Sequence, residues 1–133
     1  MCGISAIYKY GRLLDDDEKC IKRMSDQMHY RGPDGDGFWT GDNCAMGHVR
    51  LSIIGLENGK QPLFSQDKSI VLVCNGEIYN YVELKVELTK QGTVFCSDTD
   101  TEVIIHLYEK YGTDCLSKLR GIFAFCLYDK KND

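Results

Sequence analysis

The first residue whose placement suggests chemistry is Cys2. Once Met1 is removed, its thiol lies beside its own α-amine. That amine has a pKa of roughly 7.7–8, and a free thiol about 8.5. At neutral pH the amine is therefore partly neutral and can act as base for the thiol, with no histidine needed. The small Cys2 side chain permits loss of Met1, and Gly3 lets the backbone approach closely. The competing reading is a buried cysteine near a chain start. A conventional Cys–His pair would have to use His29, His48 or His106. None of them sits in a recognisable motif with a cysteine, and each reads as structural.

Four further positions could serve such a thiol. Asn75-Gly76-Glu77 follows an apolar run. A side-chain amide and an adjacent backbone N–H at a tight turn can form an oxyanion hole; a plain Asn-Gly hairpin turn is the alternative. Arg50 interrupts an otherwise apolar segment, Gly47-His48-Val49-Arg50-Leu51-Ser52-Ile53. It needs a counter-charge, which a bidentate substrate carboxylate would supply. An internal salt bridge or a snorkelling edge position would explain it equally well. Asp100 lies at a predicted helix start, where it reads as a cap, a dipole partner or a site residue.

These residues need elements to hold them. Residues 3–9 read as a short buried strand. Residues 15–29 read as a helix with Asp15, Asp16, Asp17 and Glu18 at its start and an apolar face of Ile21, Met24 and Met28. Residues 31–37 read as loop. Phe38–Trp39 and Cys44–Ile54 read as strands around a Gly41-Asp42-Asn43 turn, and Leu56–Gln61 as loop. Ser69–Cys74 reads as a strand ending at the Asn75-Gly76 turn. Tyr81–Gln91 is a predicted helix stopped by Gly92, and Thr93–Cys96 a short strand. Asp98–Tyr111 is a predicted helix with a Thr99/Glu102 capping box and a stop at Gly112. Asp114 would cap a short helical piece, Cys115–Leu119. Gly121–Tyr128 is an apolar strand, and Asp129–Asp133 a turn with no second strand after it. That leaves an apolar edge open to pairing with another chain.

The chain has 133 residues, 43% hydrophobic and 27% charged, with net charge -4. This is the composition of one globular domain, not of a disordered segment. No basic stripe points to nucleic acid or an anionic membrane. No apolar run approaches the roughly 18 residues that cross a bilayer, and the N-terminus lacks the features of a secretory signal. The cytoplasm is the default. Seven cysteines occur without a C-x-x-C. Those other than Cys2 read as free thiols acting as small hydrophobes, and no metal site is expected.

Several motifs stand in order: Cys2-Gly3-Ile4, Arg31-Gly32-Pro33-Asp34, Arg50-Leu51-Ser52-Ile53, Asn75-Gly76-Glu77-Ile78-Tyr79-Asn80, Asp100-Thr101-Glu102-Val103 and Leu119-Arg120-Gly121-Ile122-Phe123-Ala124-Phe125. Singly each is weak. Together they closely resemble class II glutamine amidotransferases of the asparagine synthetase type, over essentially the whole chain. The related glucosamine-phosphate synthases and phosphoribosyl-pyrophosphate amidotransferases share the opening Cys-Gly-Ile and an Asn-Gly turn. Arg-Gly-Pro-Asp and Asn-Gly-Glu-Ile-Tyr-Asn look like the asparagine synthetase branch.

The resemblance implies an α+β, N-terminal-nucleophile fold: a four-layer αββα sandwich of two antiparallel sheets. It implies that Cys2 attacks the side-chain amide of glutamine and forms a thioester. Asn75 and the Gly76 N–H would hold the oxyanion, Arg50 would bind the α-carboxylate, and Glu77 and Asp100 the α-ammonium. Ser97-Asp98-Thr99-Asp100 offers two aspartates, and Asp100 is chosen because Thr101-Glu102-Val103 follows it. The glutaminase step needs no cofactor. ATP and magnesium would belong to a synthetase domain that is absent here, and residues 1–133 are expected to be one glutaminase domain, partial at its C-terminal end. Two other readings stand beside this one: a catalytically silent glutamine-binding or docking piece, and the amidotransferase domain of an enzyme with another acceptor. A homo-oligomer is compatible with each.

Overall fold

The computed structural model describes residues 1–55 and 58–132. Leu56, Glu57 and Asp133, the ends of two predicted loops, lie outside the described residues. The elements in order are β1 (Gly3–Tyr8), α1 (Asp15–Gln27), β2 (Gly35–Thr40), β3 (Cys44–Arg50), β4 (Leu63–Phe64), β5 (Ile70–Ile78), α2 (Tyr81–Lys90), α3 (Glu102–Tyr111) and β6 (Gly121–Asp129). Short 3₁₀ turns cover His29–Arg31 and Gly112–Lys118.

Two antiparallel sheets form, in the orders β1-β3-β2 and β4-β5-β6. Strand β5 explains the layering. Its side chains alternate between two faces. Val71 and Val73 turn to the other sheet and meet Cys44 and Met46 of β3. Ile70, Leu72, Cys74 and Ile78 turn the opposite way, into a core with Leu84 and Leu88 of α2 and Val103, Ile104 and Leu107 of α3. A strand buried on both faces reads as a continuous apolar run, which is what residues 70–74 are. Helix α1 covers the far side of the first sheet, so the four layers of the expected αββα sandwich are present.

Several predicted details differ. Of the expected α1 face of Ile21, Met24 and Met28, Ile21 is buried, Met28 is half-buried just past the helix end, and Met24 is exposed; the second fully buried helix residue is Ser25. Ser25 Oγ lies 3.0 Å from Ser5 Oγ, over Gly47, where the space admits no larger side chain. Strand β3 stops at Arg50 instead of reaching Ile54, and β2 begins already at Gly35. Residues 93–96 form no strand. Helix α3 begins at Glu102, so Thr99 caps nothing; its N-cap, Thr101, makes no side-chain capping bond. Asp114 sits inside the 3₁₀ turn, whose N-cap is Tyr111. Strand β6 pairs with β5 along its whole length, and none of its residues is fully buried.

Candidate functional site

The largest correction falls on Asn75 and Gly76. They do not form a hairpin turn. They continue β5 to Ile78, with Asn75 opposite Ala124 and Gly76 opposite Phe123 of β6. What Asn-Gly supplies here is room, not a reversal. A Cβ on Gly76 would sit 2.3 Å from Ile122 O and 2.5 Å from Phe123 Cα.

The ladder fixes where the Gly76 N–H points. Along β5 the N–H groups alternate between the two edges. Tyr79 N bonds Arg120 O, which puts the odd-numbered groups toward β6. The even-numbered groups point to the other edge, where β4 reaches only Val71 and Leu72. Beyond it, Gln61 takes Cys74: its Oε1 accepts from Cys74 N at 2.6 Å and its Nε2 donates to Cys74 O at 3.1 Å. Asp100 Oδ2 accepts from Ile78 N at 2.7 Å. Between these two, the Gly76 N–H is claimed by no group among the described residues. On the neighbouring residue, the Asn75 Oδ1 is buried with no hydrogen-bond partner among the described residues. A buried acceptor left unpaired costs about 1–3 kcal/mol and calls for a donor; an oxyanion would have to be met by Nδ2, the other end of the same amide.

Cys2 enters the same space from the start of β1. Its Sγ accepts from Leu51 N at 3.3 Å and lies 3.5 Å from Leu51 O. The Arg31-Gly32-Pro33-Asp34 motif, to which sequence reasoning gave no role, frames it. Arg31 Nε donates to Cys2 O at 3.1 Å. Gly32 lies flat against the Val49–Arg50 backbone, where a Cβ would come within 2.6 Å. Asp34 N donates to Arg50 O, and Asp34 Oδ2 accepts from Ser52 N at 2.7 Å. The motif thus ties both Cys2 and the end of β3.

All six predicted positions line one cavity of about 280 Å³: Cys2, Arg50, Asn75, Gly76, Glu77 and Asp100. Arg50 meets no carboxylate among the described residues. Its Nη2 donates to Gly55 O at 2.5 Å and Ile54 O at 3.3 Å, two carbonyl oxygens that carry no counter-charge. Glu77 is exposed. Asp100 is buried, and burial, aided by the nearby Glu77 charge, raises its carboxyl pKa in spite of the Ile78 hydrogen bond. A cation placed there would relieve it. Asp98, the rival aspartate, is exposed and bonds Asn58 instead. Thr101 Oγ1, also on the cavity wall, is buried without a hydrogen-bond partner among the described residues.

His48 reaches the cavity wall too. Burial pushes its imidazole down to about 4, so it is neutral at pH 7. The Cys74 backbone lies close enough to favour the protonated ring, yet neither ring nitrogen reaches hydrogen-bond geometry with it. His29 and His106 lie outside the cavity wall. Met1 also lines the cavity; its removal would turn the Cys2 peptide nitrogen into a free α-amine beside the thiol.

The arrangement places a thiol, an amide with a free N–H beside it, one cation and two anions around a single space. A model of the glutamine amidotransferase domain matches residues 1–133. A glutamine-hydrolysing asparagine synthetase from Bacillus subtilis is 42% identical over 99% of this chain and 21% of its own length. A probable one from Dictyostelium discoideum is 42% identical over 98% of the chain and 24% of its own, and one from Oryza sativa 40% over 99% and 22%. The chain therefore spans about a fifth to a quarter of these relatives. Among solved structures, a glutamine phosphoribosylpyrophosphate amidotransferase from B. subtilis superposes with TM-score 0.57 at 35% identity, covering 68% of this chain and 22% of that one.

Proposed function

The chain belongs to the glutamine amidotransferase domain family, and from that premise we propose that it hydrolyses glutamine to glutamate and ammonia through a thioester on Cys2. The observation that carries this reading is that the Cys2 thiol, the Asn75 amide and the Gly76 backbone line one cavity together with Arg50, Glu77 and Asp100. The thiol, its proton taken by the α-amine freed on loss of Met1, attacks the side-chain amide carbon. Asn75 and Gly76 stabilise the oxyanion. Ammonia leaves with the proton returned, and water then cleaves the thioester to give glutamate. Arg50 binds the α-carboxylate, and Glu77 and Asp100 the α-ammonium. The step requires no metal or organic cofactor.

The ammonia would pass to a synthetase domain that makes asparagine, as the names of the longer relatives indicate; ATP, magnesium and aspartate would be that domain's requirements, not this one's. The cytoplasm, which keeps thiols reduced, suits this chemistry. No helix among the described residues is long and apolar enough to cross a membrane. A second reading, a silent glutamine-binding module, would hold for chain that keeps Met1, because Cys2 then has no free amine. Purified chain whose N-terminus is shown by mass spectrometry to be Cys2 should release glutamate from glutamine. Cys2→Ala and the Met1-bearing form should not. Full turnover with Met1 attached would overturn the amine-as-base mechanism.

A further inference from the structure

Asp100 has no regular element beneath it. It lies in the irregular segment between α2 and α3, yet its carboxylate is buried and aimed into the cavity. Burial disfavours that charge, so the backbone carrying it must be held or the segment will turn it toward water. The holding group is Glu102, the first residue of α3 and only 5% exposed. Its Oε1 accepts from Cys96 N at 2.7 Å. Its Oε2 accepts from Ser97 N at 2.7 Å and from Ser97 Oγ at 2.5 Å. Ser97 Oγ lies 2.8 Å from Thr99 Oγ1 and accepts from Thr99 N. Thr99, Asp100 and Thr101 then line the cavity.

The carboxylate is fixed from its other side as well. His106, one turn along α3, has Nε2 3.4 Å from Glu102 Oε1 and Nδ1 3.0 Å from Glu109 Oε2. Phe95 packs edge-on against the His106 ring, and Lys85 donates to Ser97 O at 3.1 Å. We infer that Glu102, oriented by His106, is a positioning residue for substrate recognition: it locks segment 96–101 so that Asp100 meets the α-ammonium of glutamine. This rests on the reading of Asp100 as the ammonium-binding group.

A carboxylate is needed because two oxygens accept from two backbone N–H groups and a hydroxyl at once. Glu102→Gln keeps the shape but turns one acceptor into a donor. The test is binding to the chain in a Cys2→Ala background, with glutamine and with its desamino analogue, 4-carbamoylbutanoate. Asp100→Asn should weaken glutamine at least about tenfold, the worth of a charge-assisted hydrogen bond, and leave the analogue alone. Glu102→Gln should do the same, and the double variant should lose no more than either single one. If Asp100→Asn erases the preference for glutamine and Glu102→Gln retains it, the positioning role is wrong and the site reading stands. If Asp100→Asn itself retains the preference, the ammonium assignment falls and this inference with it. Should Glu102→Gln not fold, His106→Gln is read against the same outcomes.

Discussion

The Ile78 N–H donates to Asp100 Oδ2 at 2.7 Å, joining the irregular segment before α3 to the edge of the strand that carries Asn75 and Gly76. One short bond thereby sets the distance between the proposed ammonium-binding and oxyanion-binding ends of the cavity. Because burial raises the Asp100 pKa above 3.8 in the folded chain, ionised Asp100 costs stability at neutral pH, and that cost disappears as pH falls through the raised value. Asp100→Asn keeps an oxygen for the Ile78 N–H and removes the charge. It should melt at the same temperature or higher at pH 7 while losing glutamine affinity. In the unaltered chain, glutamine affinity should fall as acid protonates Asp100. Thermal melts and binding titrations check both; a less stable variant with unchanged affinity would contradict the assignment.

Arg50 and Asn75 should fail in different ways. Arg50→Ala removes binding of a carboxylate present before and during reaction, so the loss should sit mainly in KM, on the order of 2–5 kcal/mol. Asn75→Ala removes a donor that matters as the oxyanion forms, so kcat should fall by about 2.7–4 kcal/mol. Steady-state kinetics on chain beginning at Cys2 separate the two. An Asn75→Ala variant altered in KM alone would remove Asn75 from the oxyanion hole.

Why some of this was legible and some was not follows from range. The apolar run at residues 70–74 announces a strand buried on both faces, and the order of motifs places Cys2, Arg50, Asn75, Gly76, Glu77 and Asp100 around one cavity. Asn75-Gly76 misleads because a hairpin turn and a strand pressed against its neighbour both need glycine; only the pairing with Phe123, 47 residues away, decides between them. Thr99 and Glu102 have capping-box spacing, yet Glu102 spends its oxygens on Cys96 and Ser97 instead. Gln61 closing the edge at Cys74 has no signal in the sequence, since a glutamine in a loop looks the same whether it faces water or a strand.

Gly76→Ala tests the close approach of β5 and β6. The added methyl would meet Ile122 O at 2.3 Å and Phe123 Cα at 2.5 Å, both backbone atoms that cannot swing aside. The strands must part or shift, at a cost of about 1–3 kcal/mol. Movement at Gly76 also displaces its N–H from the Asn75 amide, so turnover should fall further than stability does. Urea unfolding beside a glutaminase assay would show this. A variant with unchanged stability would mean that the strands accommodate a side chain there.

The Glu102–His106 pair should give the fold a pH window. Burial works to raise the Glu102 pKa, but hydrogen bonds from His106, Cys96 and Ser97 outweigh it and hold the carboxyl at about 2, against 4.5 for an ordinary glutamate. Its contribution is present above about 4.5 and is lost as pH falls toward 2. For His106, burial works to lower the pKa, but Glu102 and Glu109 outweigh it and raise it above 6.5. That contribution is full below 6.5 and is lost as pH rises through the raised value. The two overlap between 4.5 and 6.5. His106→Gln removes the second contribution and, from the first, the hydrogen bond that His106 gives Glu102. The stability gap between it and the unaltered chain should therefore be widest on the acid side of 6.5 and shrink as pH rises past the His106 pKa. Denaturant melts across that range measure the gap directly. A gap that widened with rising pH would mean that neutral imidazole is the form the fold prefers, and that Glu102 is held by Cys96 and Ser97 without help from a charged partner.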